Sequence, residues 1–291
     1  MATGYDNANA PIVIFFGQST GGKTTALVRL IRYLNTKGCM FEVDNVFHNF
    51  YYNHLADSQA KWDDIVDTIN DNVNNRLYSE VLGTKERSLV NIISKGQVIC
   101  RFLEVPGEDF INMQNAANIN FVGDSVKYDY LNHAMSCDFK KIWIFFFDLN
   151  LVNANQATIN NIAANYVNQI KNTRIGLNDK IIVLLNKIDL TVGVNGNALV
   201  QRQLPLDRYE DFINDNFNNI LNDAPFATKR WNIFGIRDSY KRHYKLLGYS
   251  SFSNETAKAI GEGERIRETE SNAIYPAELW KAIDAAIKNR Y

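Results

Sequence analysis

Two short stretches of the chain combine residue types at spacings suited to phosphate and purine chemistry. The first is GQSTGGKT, Gly17 to Thr24. Gly17 and Gly22 let the backbone turn tightly enough for successive N–H groups to face an anion, through Gln18, Ser19, Thr20 and Gly21. Lys23 then reaches the outer phosphates, the Thr24 hydroxyl is placed for Mg²⁺, and Thr25 carries the run into a helix. That helix aims its positive end at the same phosphates. The second stretch is Asn186-Lys187-Ile188-Asp189. The Asp189 carboxylate can accept from both the ring N–H and the exocyclic amine of guanine, and adenine offers no matching pair. Two lost hydrogen bonds to a charged group, at roughly 1.5 to 3 kcal/mol each, disfavour adenine by a factor on the order of 10² to 10⁴. The stem of Lys187 lies over the purine, and Asn186 ties this loop back to the first.

The elements that must position these residues are legible as alternating strands and helices. Ile12 to Phe16 is an apolar run before the glycines, and Leu27, Val28, Leu30, Ile31 and Leu34 recur at helical spacing up to a stop at Gly38. SLVNIIS and QVICRFLEV flank Lys95-Gly96 as a hairpin. Lys141 to Asp148 and Lys180 to Leu185 read as buried strands, with a helix from Gln156 to Lys171 between them. A helix over Leu206 to Leu221, a last strand over Trp231 to Ile236 and a closing helix after Pro276 complete the series. This alternation predicts an α/β fold, a doubly wound, mostly parallel six-stranded sheet with helices on both faces and binding loops at the carboxyl ends of its strands. The expected organisation is a single domain over 1–291. A helical insertion at 39–83 precedes the second strand, and an irregular insertion at 241–272 precedes the last helix.

Composition bounds the partners. A net charge of −1 over 291 residues implies neither a nucleic acid nor an anionic membrane surface, although local basic patches are compatible with it. Cys39, Cys100 and Cys137 are odd in number and widely spaced, the pattern of reduced thiols in a cytoplasmic protein. The amino terminus has no basic flank and apolar core of an export signal, and no apolar stretch is long enough to span a bilayer.

With both motifs in order, the chain resembles the Ras-like P-loop GTPases of the TRAFAC class, the group that includes Ras, Arf and bacterial MglA-type proteins. Within it the bacterial double-GTPase families are similar through their VPGE turn and long switch insertion. The resemblance implies binding of GTP and GDP with Mg²⁺, hydrolysis, and a protein effector or activating partner that reads two switch segments. It places the family's DxxG turn on Glu104-Val105-Pro106-Gly107, where Gly107 gives its N–H to the γ-phosphate and Glu104, one methylene longer than the usual Asp, contacts Mg²⁺ through water. Thr84 falls where the family has its second hydroxyl ligand, with Ser88 as the alternative. Glu108 stands where the family carries a water-orienting Gln; its added negative charge predicts slow turnover, and it reads equally as a solvent-facing carboxylate. A base-side loop near Gly235 to Ser239 matches loosely and suggests backbone contact near Arg237.

Other features read as structural. His48 and His54 are six apart and do not share a helical face, so they fit packing and surface roles better than a metal site. GEGERIRETE, Gly261 to Glu270, reads as a mixed-charge solvated segment. Three functions compete: a GTP-hydrolysing switch, a GTP-binding scaffold without turnover, and an ATP-dependent phosphotransferase for which Asn186 to Asp189 is accidental.

Overall fold

The computed structural model describes residues 10–17, 22–44, 67, 77–79, 88–104, 139–148, 178–186, 221–222, 226–230, 239–249, 257–260, 265–268 and 274–290. Their centre is a seven-stranded sheet. It uses β1 (Ile12–Phe16), β2 (Met40–Val43), β4 (Ser88–Ser94), β5 (Gln97–Glu104), β6 (Lys141–Asp148), β7 (Lys180–Asn186) and β10 (Tyr244–Tyr249). The spatial order is β10-β7-β6-β1-β5-β4-β2. Strands β10, β7, β6, β1 and β5 run parallel, β4 is antiparallel to β5, and β2 is antiparallel to β4. The architecture is therefore the expected α/β one, with one strand more than the six expected. Met40–Val43, inside the segment assigned to a helical insertion, adds to the edge beside β4. The helix expected within 39–83 lies outside the described residues, apart from Asp67.

Both faces of the sheet are covered. Every residue of β1 is buried, as a parallel strand between two layers requires. Alternate side chains point to opposite faces, and the aromatic contacts follow that alternation. Phe15 packs on Phe102 and Phe146, at ring centroid distances of 5.6 and 5.9 Å. On the other face Phe16 packs on Phe145, and Phe145 on Phe226, each at 5.0 Å. Helices α1 (Lys23–Thr36) and α2 (Ile274–Ile287) lie side by side on the Phe15 face, where Tyr275 of α2 meets Tyr249 of β10. Each aromatic ring removed from water here contributes about 1.5 to 3 kcal/mol to holding the sheet centre together.

The turns follow from local chemistry. Lys95 and Gly96 both have positive φ, 52° and 76°, which gives the β4–β5 hairpin the twist its strands need. Gly38, at φ 80°, ends α1: its N–H reaches Asn35 O and that of Cys39 reaches Leu34 O. At the end of α2 the Lys140 ammonium donates to Ala286 O, to Ile287 O at 3.3 Å and to Asn289 Oδ1 at 2.6 Å. A cation there meets the negative end of the helix.

The stretch 241–272, expected to be irregular, contains β10 and two further strands. β11 (Ala257–Ile260) and β12 (Arg265–Glu268) pair with β3 (Leu77–Ser79) in a separate three-stranded sheet, and β8 (Ala227–Arg230) pairs with β9 (Ser239–Arg242). Ladder pairing with distant segments orders a stretch whose own pattern is weak. The strand expected over Trp231 to Ile236 lies outside the described residues. No helix among the described residues is long and apolar enough to cross a membrane.

Candidate functional site

The parallel strands finish along one edge of the sheet, where Phe15 lies opposite Glu104 and Asn186 lies opposite both Asp148 and Tyr249. Helix α1 begins at this edge. The chain leaves β1 at Gly17 and enters α1 through Gly22, which sits in the left-handed region at φ 79°, ψ 19° and accepts from the Ala26 N–H at 3.0 Å. A residue with a β-carbon is strained in that conformation, which accounts for glycine immediately before the lysine. The N-cap Gly22 has no side chain to cap the first turn of α1 and no acid lies in that turn, so its N–H groups and positive end suit an anion.

Lys23 and Thr24, the first residues of α1, make the two contacts that define the site. The Lys23 side chain is only 2% exposed, and its ammonium donates to Gly17 O at 3.0 Å, bridging the two ends of the glycine-rich loop. The Thr24 hydroxyl donates to Oε1 of Glu104, itself 4% exposed at the end of β5. Glu104 shares the Phe15 face of the sheet with α1, and this alternation aims its carboxylate at the helix start. A buried ammonium and a buried carboxylate therefore contact the end of β1 and the start of α1, the one through Gly17 and the other through Thr24. Thr25 is buried beside them, and Asn186 is fully buried at the end of β7.

The donor set fits Mg²⁺. A hydroxyl oxygen and a carboxylate already in contact are hard ligands, few enough for an ion that takes the rest of its shell from water and phosphate. Among the described residues no group of three or more His, Cys, Asp or Glu gathers to hold a metal by itself.

The structure thus brings together Gly17, Gly22, Lys23, Thr24, Thr25 and Glu104, and sets Asn186 on the same edge. Gln18, Ser19, Thr20, Gly21, Thr84, Gly107, Glu108, Lys187, Asp189 and Arg237 lie outside the described residues. One element at this edge was not legible in the sequence. β10 pairs in parallel with β7 and ends at Tyr249, so the chain leaves the site edge there. Its six residues, YKLLGY, carry a lysine and a glycine and alternate imperfectly, which hides a strand.

No protein-family model matches the chain, and no curated protein matches it. Among solved structures it is similar to the GTP-bound GTPase-like domain of Saccharomyces cerevisiae Ski7, at 15% identity over 96% of this chain and 51% of that one, with a TM-score of 0.39. It is similar to Methanosarcina barkeri Roco2 RocCORdC bound to GDP, at 10% identity over 99% and 52%, with a TM-score of 0.32. It is also similar to the SRb-GTP/SRX complex of Chaetomium thermophilum, at 12% identity over 84% and 92%, with a TM-score of 0.37. The chain spans about half the length of the first two. At such identities and scores the fold assignment stands on the strand order, and the site on the contacts of Lys23 and Thr24.

Proposed function

We propose that the chain binds a guanine nucleotide with Mg²⁺ at the loop between β1 and α1, and that it hydrolyses GTP slowly as a switch read by a protein partner. What carries the reading is the pair of contacts at the start of α1, Lys23 to Gly17 O and Thr24 to Glu104. Lys23 is held where an ammonium meets the outer phosphates, and the amides from Gly17 through Thr25, including Gln18, Ser19, Thr20 and Gly21, wrap the rest. Thr24 and Glu104, with Thr84 from the switch segment, would hold Mg²⁺, which when bound neutralises charge on the transferring phosphoryl group. Gly107 and Glu108 follow Glu104 at the γ-phosphate end, Gly107 donating its N–H and Glu108 orienting water.

Base choice is assigned to the loop that leaves β7. Asn186 anchors it, Lys187 lies over the purine, and Asp189 accepts from guanine. On the far side of the base, backbone near Arg237 is the assigned contact. A GTP-binding scaffold without turnover is the second reading, favoured by the longer acid at 104 and the extra negative charge at 108.

Competition between GTP and ATP for the purified protein in Mg²⁺, followed by phosphate release, tests the proposal. A preference for GTP of about 10² or more with slow release is expected. Equal affinities would remove the guanine assignment, and tight binding without release above the buffer rate would establish the scaffold.

A further inference from the structure

We propose that the end of the sheet opposite the loop after β1 is a docking surface for an anionic lipid bilayer. At this end the parallel strands begin, the β4–β5 hairpin turns, and α1 and α2 finish. The exposed residues here include Lys37 after α1, Lys95 in the hairpin turn, Lys241 and Lys245 flanking the start of β10, and Lys288 and Arg290 after α2. Behind them Lys140 and Lys180 are half-buried, and burial first and then Lys180 lower the Lys140 pKa, against the pull of Asp179.

The described carboxylates at this level are Glu42, Asp179 and Asp284, and two of them are engaged. Asp179 accepts from the Lys141 N–H at 3.0 Å and the Trp143 indole at 3.1 Å, and Asp284 holds Lys288 at 2.6 Å. Among the described residues, cations outnumber carboxylates at this end of the sheet.

The shape and composition of this end select a surface over a strand. Seven strands at about 4.8 Å spacing make it roughly 29 Å across, with cations at both edges and no single track between them. Among the described residues whose burial is known, no Phe, Tyr or Trp side chain is exposed to stack on bases. Lysine dominates, a point charge suited to a diffuse anionic plane, where arginine is the residue of bidentate phosphate readout. Met40, 56% exposed, starts β2 opposite Ile93 at the same end, and offers an apolar side chain to the headgroup region. Juxtamembrane basic residues gain attraction individually at such a surface. Docking here would leave the loop after β1 facing away from the bilayer.

Co-sedimentation with vesicles of phosphatidylcholine, alone or mixed with phosphatidylserine, tests the proposal without reference to the nucleotide, so its failure is distinguishable from failure of the proposed function. Binding only to the phosphatidylserine vesicles is expected, abolished by high salt. Lys241→Glu/Lys245→Glu/Arg290→Glu lowers it by about 100-fold or more, and Lys37→Gln/Lys95→Gln at the opposite edge by about tenfold, with unchanged thermal unfolding as the check on folding. No vesicle binding by the wild-type chain, or binding indifferent to both variants, would overturn the proposal. Charge-dependent binding to a mixed-sequence oligonucleotide with none to vesicles would also overturn it and assign the surface to nucleic acid.

Discussion

The Thr24 hydroxyl donates to the Glu104 carboxylate across 80 residues of chain, joining the first turn of α1 to the last residue of β5. Glu104 ends a strand of the sheet core and Thr24 opens the helix packed on it, so the pair joins two elements of the fold. Its oxygen donors stand beside the helix end that suits phosphate.

Glu104→Ala removes one of these oxygens and leaves the Thr24 hydroxyl without that acceptor. The Mg²⁺ concentration giving half-maximal binding of a fluorescent guanine nucleotide is expected to rise by about 10- to 100-fold, measured by metal titration. An unchanged titration would remove Glu104 from the metal site.

Lys23→Met keeps the aliphatic stem in its buried slot and deletes the ammonium that reaches Gly17 O at 3.0 Å. A lost charged contact of about 1.5 to 3 kcal/mol predicts about 10- to 100-fold weaker nucleotide binding, read by isothermal titration. Circular dichroism of the variant should retain the wild-type spectrum, because the stem still packs.

The parts of the fold that were legible share one physical property. β1, β6 and β7 are buried on both faces, so each reads as an uninterrupted apolar run whatever its neighbours. The hairpin at Lys95-Gly96 was legible because its turn demands positive φ at both residues. The edge strands were not. Met40–Val43 has one buried residue in four, and Tyr244–Tyr249 has two in six. What makes them strands is pairing with β4 and β7, a tertiary effect that no local pattern encodes. The same holds for β3, β11 and β12, which come from two segments read as unrelated insertions and form one sheet. At the site, Gly17 to Thr24 was legible because a phosphate loop needs particular residues at fixed offsets. The contact of Thr24 with Glu104 was not, since it depends on the register of β1 against β5.

The cysteines should separate by reactivity. Burial, reinforced by neighbouring Cys39, holds the Cys100 thiol well above its ordinary pKa, and the thiolate is the reactive form. In a Cys137→Ser background, native protein should label at the half-buried Cys39 and should label at Cys100 only after denaturation. Mass spectrometry after alkylation checks this, and rapid native labelling of Cys100 would contradict its place in the core.

Lys140 fastens the end of α2, so Lys140→Met should cost about 0.3 to 1 kcal/mol in denaturant unfolding at neutral pH. Burial first, and then Lys180, lower the Lys140 pKa below its ordinary 10.5, against the opposing pull of Asp179. The unfolded chain therefore holds this proton to higher pH than the folded one. The stability of wild type relative to Lys140→Met should rise with pH in the window just below 10.5 and fall as pH drops through the folded value. A flat difference across that window would contradict the assignment.

The central claim, that a guanine nucleotide is held between the loop after β1 and the loop after β7, is tested most directly by Asp189→Asn in a competition between GTP and XTP. The new amide donates where the carboxylate accepted, so it matches the extra carbonyl of xanthine and opposes the exocyclic amine of guanine. The account predicts that preference reverses from GTP to XTP while the fold is retained. A variant that still prefers GTP as the wild type does would show that Asp189 does not read the base, and the account would fail.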